Sequence, residues 1–414
     1  MKTFKAGHLV RRTWKADMGA YGGRKARQSF EYQAFVPEPI ADEDFVLKAD
    51  VAAVVSQAES AVQELNHYPP AFGSFEVLAR RLLRAESIAS SRIEGLELSH
   101  RRLAKAEFAP TKALDVTAES VLGNIRAMDA AVKLGSKTRS LQPGDVVAIH
   151  RELMSATRDA HIAGVVRTTQ NWIGGVGNSP RSADFVPPPP EFVDALLADL
   201  AAFLSREDLS PVVQAAIAHA QFETIHPFAD GNGRVGRCLI HVVMRRRGIA
   251  PRYVPPVSLV LATDARAYVS GLTDYREGML DEWTGVFAAA TRTAAIEARS
   301  FADRVAGLQE RWRERATRPR ASSAADRLIT ILPAHPIVDL NLTRKVLDVS
   351  APAAWGALQR LEGAGVLRQI TVGRRNRAYE AVGLFDVVDR FERELATHPG
   401  ATKPARPTPR RVTR

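Results

Sequence analysis

The sequence predicts a mainly α protein: a helical core interrupted by one hairpin or loop, followed by a small C-terminal domain of helices and strands. Three observations predict it. Apolar residues recur at three- and four-residue spacing through long stretches before Arg315, the periodicity of helices with one buried face. One Gly- and Pro-rich stretch, Gln170–Pro190, cannot be helical, because Gly174, Gly175, Gly177 and a run of prolines forbid it. A polar break, ATRPRASS at Ala316–Ser323, then introduces a segment in which short helical runs give way to two strand-like runs around Gly373.

With 414 residues, 45% of them hydrophobic, the chain is long enough for two or three domains with sizeable cores. The polar break and the Pro-rich basic end set off a linker at 316–323, a small domain at 324–396 and a tail, predicted to be disordered, at 397–414; an N-terminal arm and helix region at 1–108 and a core at 109–315 are expected before them.

YQAFVPEPIADEDF, from Tyr32, has the proline content of an extended arm. Phe75, Leu78, Leu82 and Leu83 then mark a helix face that continues into ESIASSRIEG, Glu86–Gly95, where Ser90 and Glu94 share a face. Beyond that stretch, Pro211 suits a first helical turn, and Val212, Ala215, Ala216 and Ala220 read as a buried helix. His219 on it reads as a core histidine, since no cysteine or histidine cluster supports a zinc site. CLIHVVM, from Cys238, is the next core helix, and Arg245–Arg247 suit its C-terminal end. After the break, helices are predicted at 324–332, 342–349 and, behind a Ser350 cap, 351–363, with Gly363 and Gly365 as the stop.

Between the two core helices stands IHPFADGNGRVGR, Ile225–Arg237. It places a base, an acid, a glycine-rich turn and two arginines in one loop, an inventory for handling a phosphate. His226 can take a proton near neutral pH. Asp230 supplies a hard oxygen for a divalent cation, and Gly231, Asn232 and Gly233 permit a tight turn that exposes backbone amides. Arg234 and Arg237, three apart on one helix face, can reach anionic oxygens that a helix N-terminus already favours.

HPFADGNGR with Arg237 three residues on resembles the signature of the Fic family, His-Pro-Phe-x-Asp/Glu-Gly-Asn-Gly-Arg-x-x-Arg, with no departure. The resemblance implies a mostly helical fold with the signature in a loop between two helices, and transfer of AMP from ATP to a protein hydroxyl. The related Doc branch transfers a phosphate and breaks the Gly-Asn-Gly core with a lysine; Gly233 is intact here, which favours AMP transfer. The implied roles are His226 as the base, Asp230 as the magnesium ligand, and Phe228, Gly231, Asn232, Gly233, Arg234, Arg237 and Tyr268 in the ATP site. Arg237 takes the γ-phosphate end, and Tyr268 falls where the family has an aromatic near the adenine, although a packing role fits it nearly as well. Ser90-x-x-x-Glu94-Gly95 resembles the family's inhibitory motif, which implies a Glu94–Arg237 salt bridge in place of the γ-phosphate and, in some relatives, removal of the AMP. The Gln170–Pro190 segment resembles the family's β-hairpin flap, which clamps a target peptide by strand addition. Two alternatives stand beside this reading: a Fic transferase using another nucleotide or a phosphocholine donor, and a DNA-binding regulator whose Fic core senses a nucleotide.

The net charge of +11 is uneven. From Phe301 onward there are 21 Lys and Arg against 12 Asp and Glu, leaving nearly all of the surplus in the C-terminal part. That part resembles a winged helix-turn-helix of about 60 residues whose wing, RQITVGRRNRAYE, carries Arg374, Arg375 and Arg377 as candidate DNA contacts. Its third helix offers little beyond Gln359 and Arg360 to read bases, so a protein-binding or dimerising role, including a homodimer, stays open. Cys238 is the only cysteine, no run of 18 apolar residues appears, and the amino terminus lacks the apolar centre of a signal peptide. A cytoplasmic enzyme with ATP and Mg2+, no membrane partner and a hydroxyl-bearing target protein is the expectation.

Overall fold

The structure, a computed structural model, describes residues 4–15, 28–67, 75–108, 114–137, 140–175, 179–372 and 376–396. Among these the elements in chain order are β1 (Gly7–Trp14), β2 (Phe30–Pro37), α1 (Ala49–His67), α2 (Phe75–Ile93), α3 (His100–Ala106), α4 (Val116–Lys137), α5 (Pro143–Met154), α6 (Pro190–Ser205), α7 (Pro211–Ile225) and α8 (Asn232–Arg246). They continue with α9 (Val257–Leu261), α10 (Ala265–Arg276), α11 (Leu280–Arg315), α12 (Ala324–Ile331), β3 (Ile337–Val338), α13 (Leu340–Leu347), α14 (Ala351–Gly363), β4 (Leu367–Val372), β5 (Asn376–Ala381) and α15 (Leu384–Ala396). Among the described residues the protein is mainly helical with two small sheets. It divides into two compact units that interleave along the chain: Met1–Ser56, Arg126–Gly248 and Arg266–Ala289 form the first, and Gln57–Ile125, Ile249–Ala265 and Ala290–Arg414 the second.

The first unit is built on α7, whose residues Val212 to Ile225 are all buried. A helix without a polar face belongs inside. Pro211 opens it and Ser210 caps it, the Oγ accepting from Val213 N. Its polar side chains find partners, as buried amides must. Gln214 Nε2 donates to the carbonyls of Phe203 and Arg206, while Gln221 donates to Glu38 O and accepts from the Tyr275 hydroxyl. α8 packs along α7, and Gly236 permits the spacing: a Cβ there would stand 2.7 Å from Glu223 Oε1 and 3.0 Å from Phe222 Cδ1. The arginines closing α8 reach beyond their own helix end, Arg246 to the carbonyls of Ser205 and Arg206 where α6 stops, and Arg247 to Gln214 Oε1. Strand β2, which the sequence shows only as an extended arm, pairs antiparallel with β1 in a register from Gly7↔Pro37 to Trp14↔Phe30.

In the second unit, Glu86 on α2 accepts from the backbone N–H and the hydroxyl of Ser258 near the start of α9. The C-terminal helices α12, α13 and α14 lie within two residues of the predicted spans, and the Ser350 hydroxyl caps α14 by accepting from Ala353 N. The two strand-like runs are β4 and β5, antiparallel, with β3 on the other edge of β5. Neither β3 nor α15 is among the expected elements, although the spacing of Leu384, Val388, Phe391 and Leu395 is helical. α15 buries Leu384, Phe385, Val388, Phe391 and Leu395 on one face, and Trp312 Nε1 on α11 donates to Val382 O just after β5. No helix among the described residues is long and apolar enough to cross a membrane.

Candidate active site

The signature residues meet in the first unit where α7 ends and α8 begins. His226 is the C-cap of α7, held at φ 50° and ψ 59° with its N–H on Phe222 O. A left-handed backbone costs a residue with a Cβ roughly 1–2 kcal/mol, so the surroundings must hold it. They do so through its carbonyl, which accepts from Arg167 Nε at 2.8 Å and Asn171 Nδ2 at 3.1 Å. The imidazole is 13% exposed, with Nδ1 at 3.4 Å from the Glu223 carbonyl and 3.8 Å from its carboxylate. That contact suits a proton on Nδ1 and leaves Nε2 as the acceptor.

Asn232 closes the loop on itself, its Oδ1 accepting Phe228 N at 2.9 Å and its Nδ2 donating to Phe228 O at 2.8 Å. Gly231 is the N-cap of α8 at φ 81°, and a Cβ on it would stand 2.8 Å from Leu153 Cδ2; only glycine satisfies both demands. Asp230 stands before this helix start with its carboxylate 50% exposed and 3.3 Å from Arg234 Nη2. Arg234 and Arg237 are both buried, Arg237 to 1%. Arg237 Nη1 lies 3.5 Å from the Tyr268 hydroxyl, which is 2.9 Å from His219 Nε2. Burial and the nearby Arg237 charge pull the His219 pKa down to about 3, so the ring is neutral. Tyr268 stacks on it with ring centroids 5.8 Å apart and touches the signature arginine from a buried position.

Three residues that sequence reasoning missed complete the loop. The His150 ring, on α5, stacks on Phe228 at 3.8 Å and 6°. Gly164 N donates to its Nδ1 at 3.0 Å, so Nε2 bears the proton and donates to Asp230 O at 3.1 Å. Burial pulls this histidine down to about 4. Arg167 spends its buried guanidinium on four carbonyls, those of His226, Thr169, Pro188 and Ile225, while its own N–H donates to Pro227 O. Asn171 bridges the carbonyls of His226 and Phe228. The polar run RTTQN, which leads into the Gln170–Pro190 segment, is the one sequence signal for Arg167 and Asn171; nothing in spacing links His150 to the loop.

Comparison with known proteins bears on this arrangement: residues 140–244 match the Fic/DOC family, and residues 52–133 match its N-terminal counterpart, Fic/DOC family N-terminal. The signature loop lies inside the stretch that is similar to a Fic domain. Among curated proteins it is similar to protein adenylyltransferase fic-1 of Caenorhabditis briggsae, 35% identical over 152 residues, covering 34% of this chain and 27% of that protein. It is 28% identical to protein adenylyltransferase Fic of Culex quinquefasciatus over 279 residues, 61% of this chain and 53% of that one. The chain therefore spans about a quarter to a half of the length of these relatives. A solved Fic family protein from Desulfovibrio desulfuricans G20 shares the fold with a TM-score of 0.51 at 22% identity, covering 82% of this chain and 98% of that one.

The Gln170–Pro190 segment, expected to be a β-hairpin flap, departs from a full hairpin. Its described part has one antiparallel bridge, Ile173↔Phe185, and a single 3-10 turn at Pro180–Ser182; residues 176–178 lie outside the described residues. Phe35 N on β2 donates to Val186 O at its exit. Ser90 and Glu94 belong to the second unit, where Ser90 is buried in α2. Glu94 is the first residue past that helix, its N–H on Ser91 O, with Gly95 following at φ 79°. Arg377 is exposed on β5, whereas Arg374 and Arg375 lie outside the described residues.

Proposed function

We propose that this protein is a self-inhibited protein adenylyltransferase that transfers AMP from ATP to a Ser, Thr or Tyr hydroxyl of a target protein. The observation that carries the reading is the unbroken signature with His226 clamped by its carbonyl and turned so that Nε2 is the accepting atom. The target hydroxyl loses its proton to Nε2 as its oxygen bonds to the α-phosphorus. The bond from that phosphorus to the bridging oxygen breaks, and pyrophosphate leaves. The amides of Gly231 to Gly233, at the N-terminus of α8, face charge that grows on the phosphate oxygens. Arg234 and Arg237 hold the phosphate chain, and Phe228 and Asn232 keep the loop closed beneath it.

Among the described residues no group of three or more His, Cys, Asp or Glu forms a protein metal cage. The half-exposed Asp230 carboxylate fits a magnesium ion that takes its other ligands from phosphate oxygens and water. Magnesium there would neutralise charge on the phosphates. Glu94 is read as the inhibitory carboxylate and Arg237 as its target. The order α12, β3, α13, α14, β4, β5 supports a winged helix-turn-helix for 324–396. Its third helix favours a protein partner over DNA, because Arg360 already donates to Ala316 O and Gln359 to Glu362.

The test is transfer of label from α-labelled ATP with magnesium, in cell extract, by wild type, Glu94→Gly and Glu94→Gly/His226→Ala. Strong labelling confined to Glu94→Gly is the expected result. An equally active double variant would overturn the role of His226, and no labelling by any form would overturn ATP as the donor.

A further inference from the structure

We infer that Glu392, on α15, is a positioning residue for the inhibitory turn, so that the C-terminal domain sets how firmly transfer is restrained. The inference rests on the reading of Glu94 as the inhibitory carboxylate. Glu94 sits in the connection between α2 and α3, and a single carboxylate grips both ends of that connection. Glu392 Oε2 accepts from Arg92 Nη2 at 2.9 Å, two residues before Glu94, and Oε1 is 2.8 Å from Nε2 of His100, the first residue of α3. The carboxylate is 15% exposed and His100 is buried, so water competes little for either bond. Burial pushes the Glu392 carboxyl up, yet His100 and Arg92 outweigh it and bring it down to about 2.

A second set of contacts ties α3 to the same domain. Arg101 Nε lies 3.2 Å from Glu380 Oε2 on β5, and the buried Glu380 also accepts from Arg368 on β4 at 2.6 Å. The Arg101 guanidinium stands 5.1 Å over the Phe385 ring, and Ala104 shares an apolar cluster with Ile337, Ala378 and Phe385. The residues flanking Glu94 are thus fixed to α15 and its sheet, leaving the turn between them as a span held at both ends. Loosening Glu392 releases Arg92 and His100 together. Glu94 then spends less time where it restrains the site, and transfer rises.

The experiment uses the full chain as wild type, Glu392→Gln, Glu94→Gly and the double variant. It measures AMP transfer from α-labelled ATP and hydrogen exchange over residues 92–100. Glu392→Gln is expected to raise transfer about tenfold, the scale of one lost charge-assisted hydrogen bond, to speed exchange over the turn, and to add nothing to Glu94→Gly in the double variant. Arg92→Gln breaks the same pair from its more exposed side and serves if Glu392→Gln does not fold. Wild-type transfer and exchange in Glu392→Gln, alongside a raised rate in Glu94→Gly, would refute the coupling alone. Additivity in the double variant would also refute it, because the two changes would then act at separate places. No rise in Glu94→Gly would instead remove the inhibitory reading on which the inference rests.

Discussion

His150 offers the sharpest test of how the signature loop is held. In His150→Ala, Gly164 N–H loses its buried acceptor, Asp230 O loses its donor and Phe228 loses a stacked ring. The Asp230 carbonyl belongs to an exposed residue and can turn to water, so only the Gly164 amide carries the full penalty of about 1–3 kcal/mol. The lost stack adds about 0.5–1.5 kcal/mol. Together they ease opening of the loop by about 2–4 kcal/mol, or roughly 30- to 1000-fold faster exchange of the amides that report on it. Those amides are Phe228, bonded to Asn232 Oδ1, and Arg167, bonded to Pro227 O. Acid should reproduce the effect in wild type. His150 has a pKa of about 4 in the folded loop against 6.5 when free, so the open form binds the proton more readily. The stabilisation is full above pH 6.5 and is lost as pH falls towards 4, by up to roughly 3 kcal/mol. Hydrogen exchange of wild type and His150→Ala at several pH values is the assay, with intrinsic rates divided out. A folded His150→Ala whose Phe228 and Arg167 amides exchange like wild type at neutral pH would refute the reasoning.

Three further outcomes follow from the same geometry. Arg167→Met strands four carbonyls, including that of His226, and should cost at least about 3 kcal/mol in thermal stability and most of the transfer; Arg167→Lys should recover only part, since an ammonium cannot span the fork. Gly231→Ala forces a Cβ against Leu153 at φ 81° and should cost about 2 kcal/mol or more, read as a lower thermal midpoint; an unchanged midpoint would mean the turn relaxes freely. Tyr268→Phe removes the hydroxyl between His219 and Arg237 and should raise the KM for ATP several-fold with a smaller change in kcat. A change in kcat alone would place Tyr268 elsewhere in the reaction.

Much of the candidate site is legible in the chain because the information is local. The signature names its base, acid, turn and arginines within thirteen residues, Ile225–Arg237, and the helices on either side show in apolar spacing. Pro211 and the Ser350 cap mark helix starts with their own chemistry, and Ser90 and Glu94 end up one turn apart at the end of α2 as their spacing says. What holds the site in shape is another matter. The partner of the Asp230 carbonyl lies 80 residues upstream at His150, and Arg167 reaches His226 from 59 residues away. The pairing of β1 with β2 and the grip of Glu392 on Arg92 across 300 residues have no counterpart in periodicity or spacing, whereas α15 has one: Leu384, Val388, Phe391 and Leu395 recur at helical spacing. By itself the sequence determined the chemical inventory and the helices that present it, since both depend on neighbours along the chain. Only the tertiary structure decided which remote side chains clamp the His226 loop and the turn between α2 and α3, since hydrogen bonds between distant residues depend on packing that no short stretch encodes.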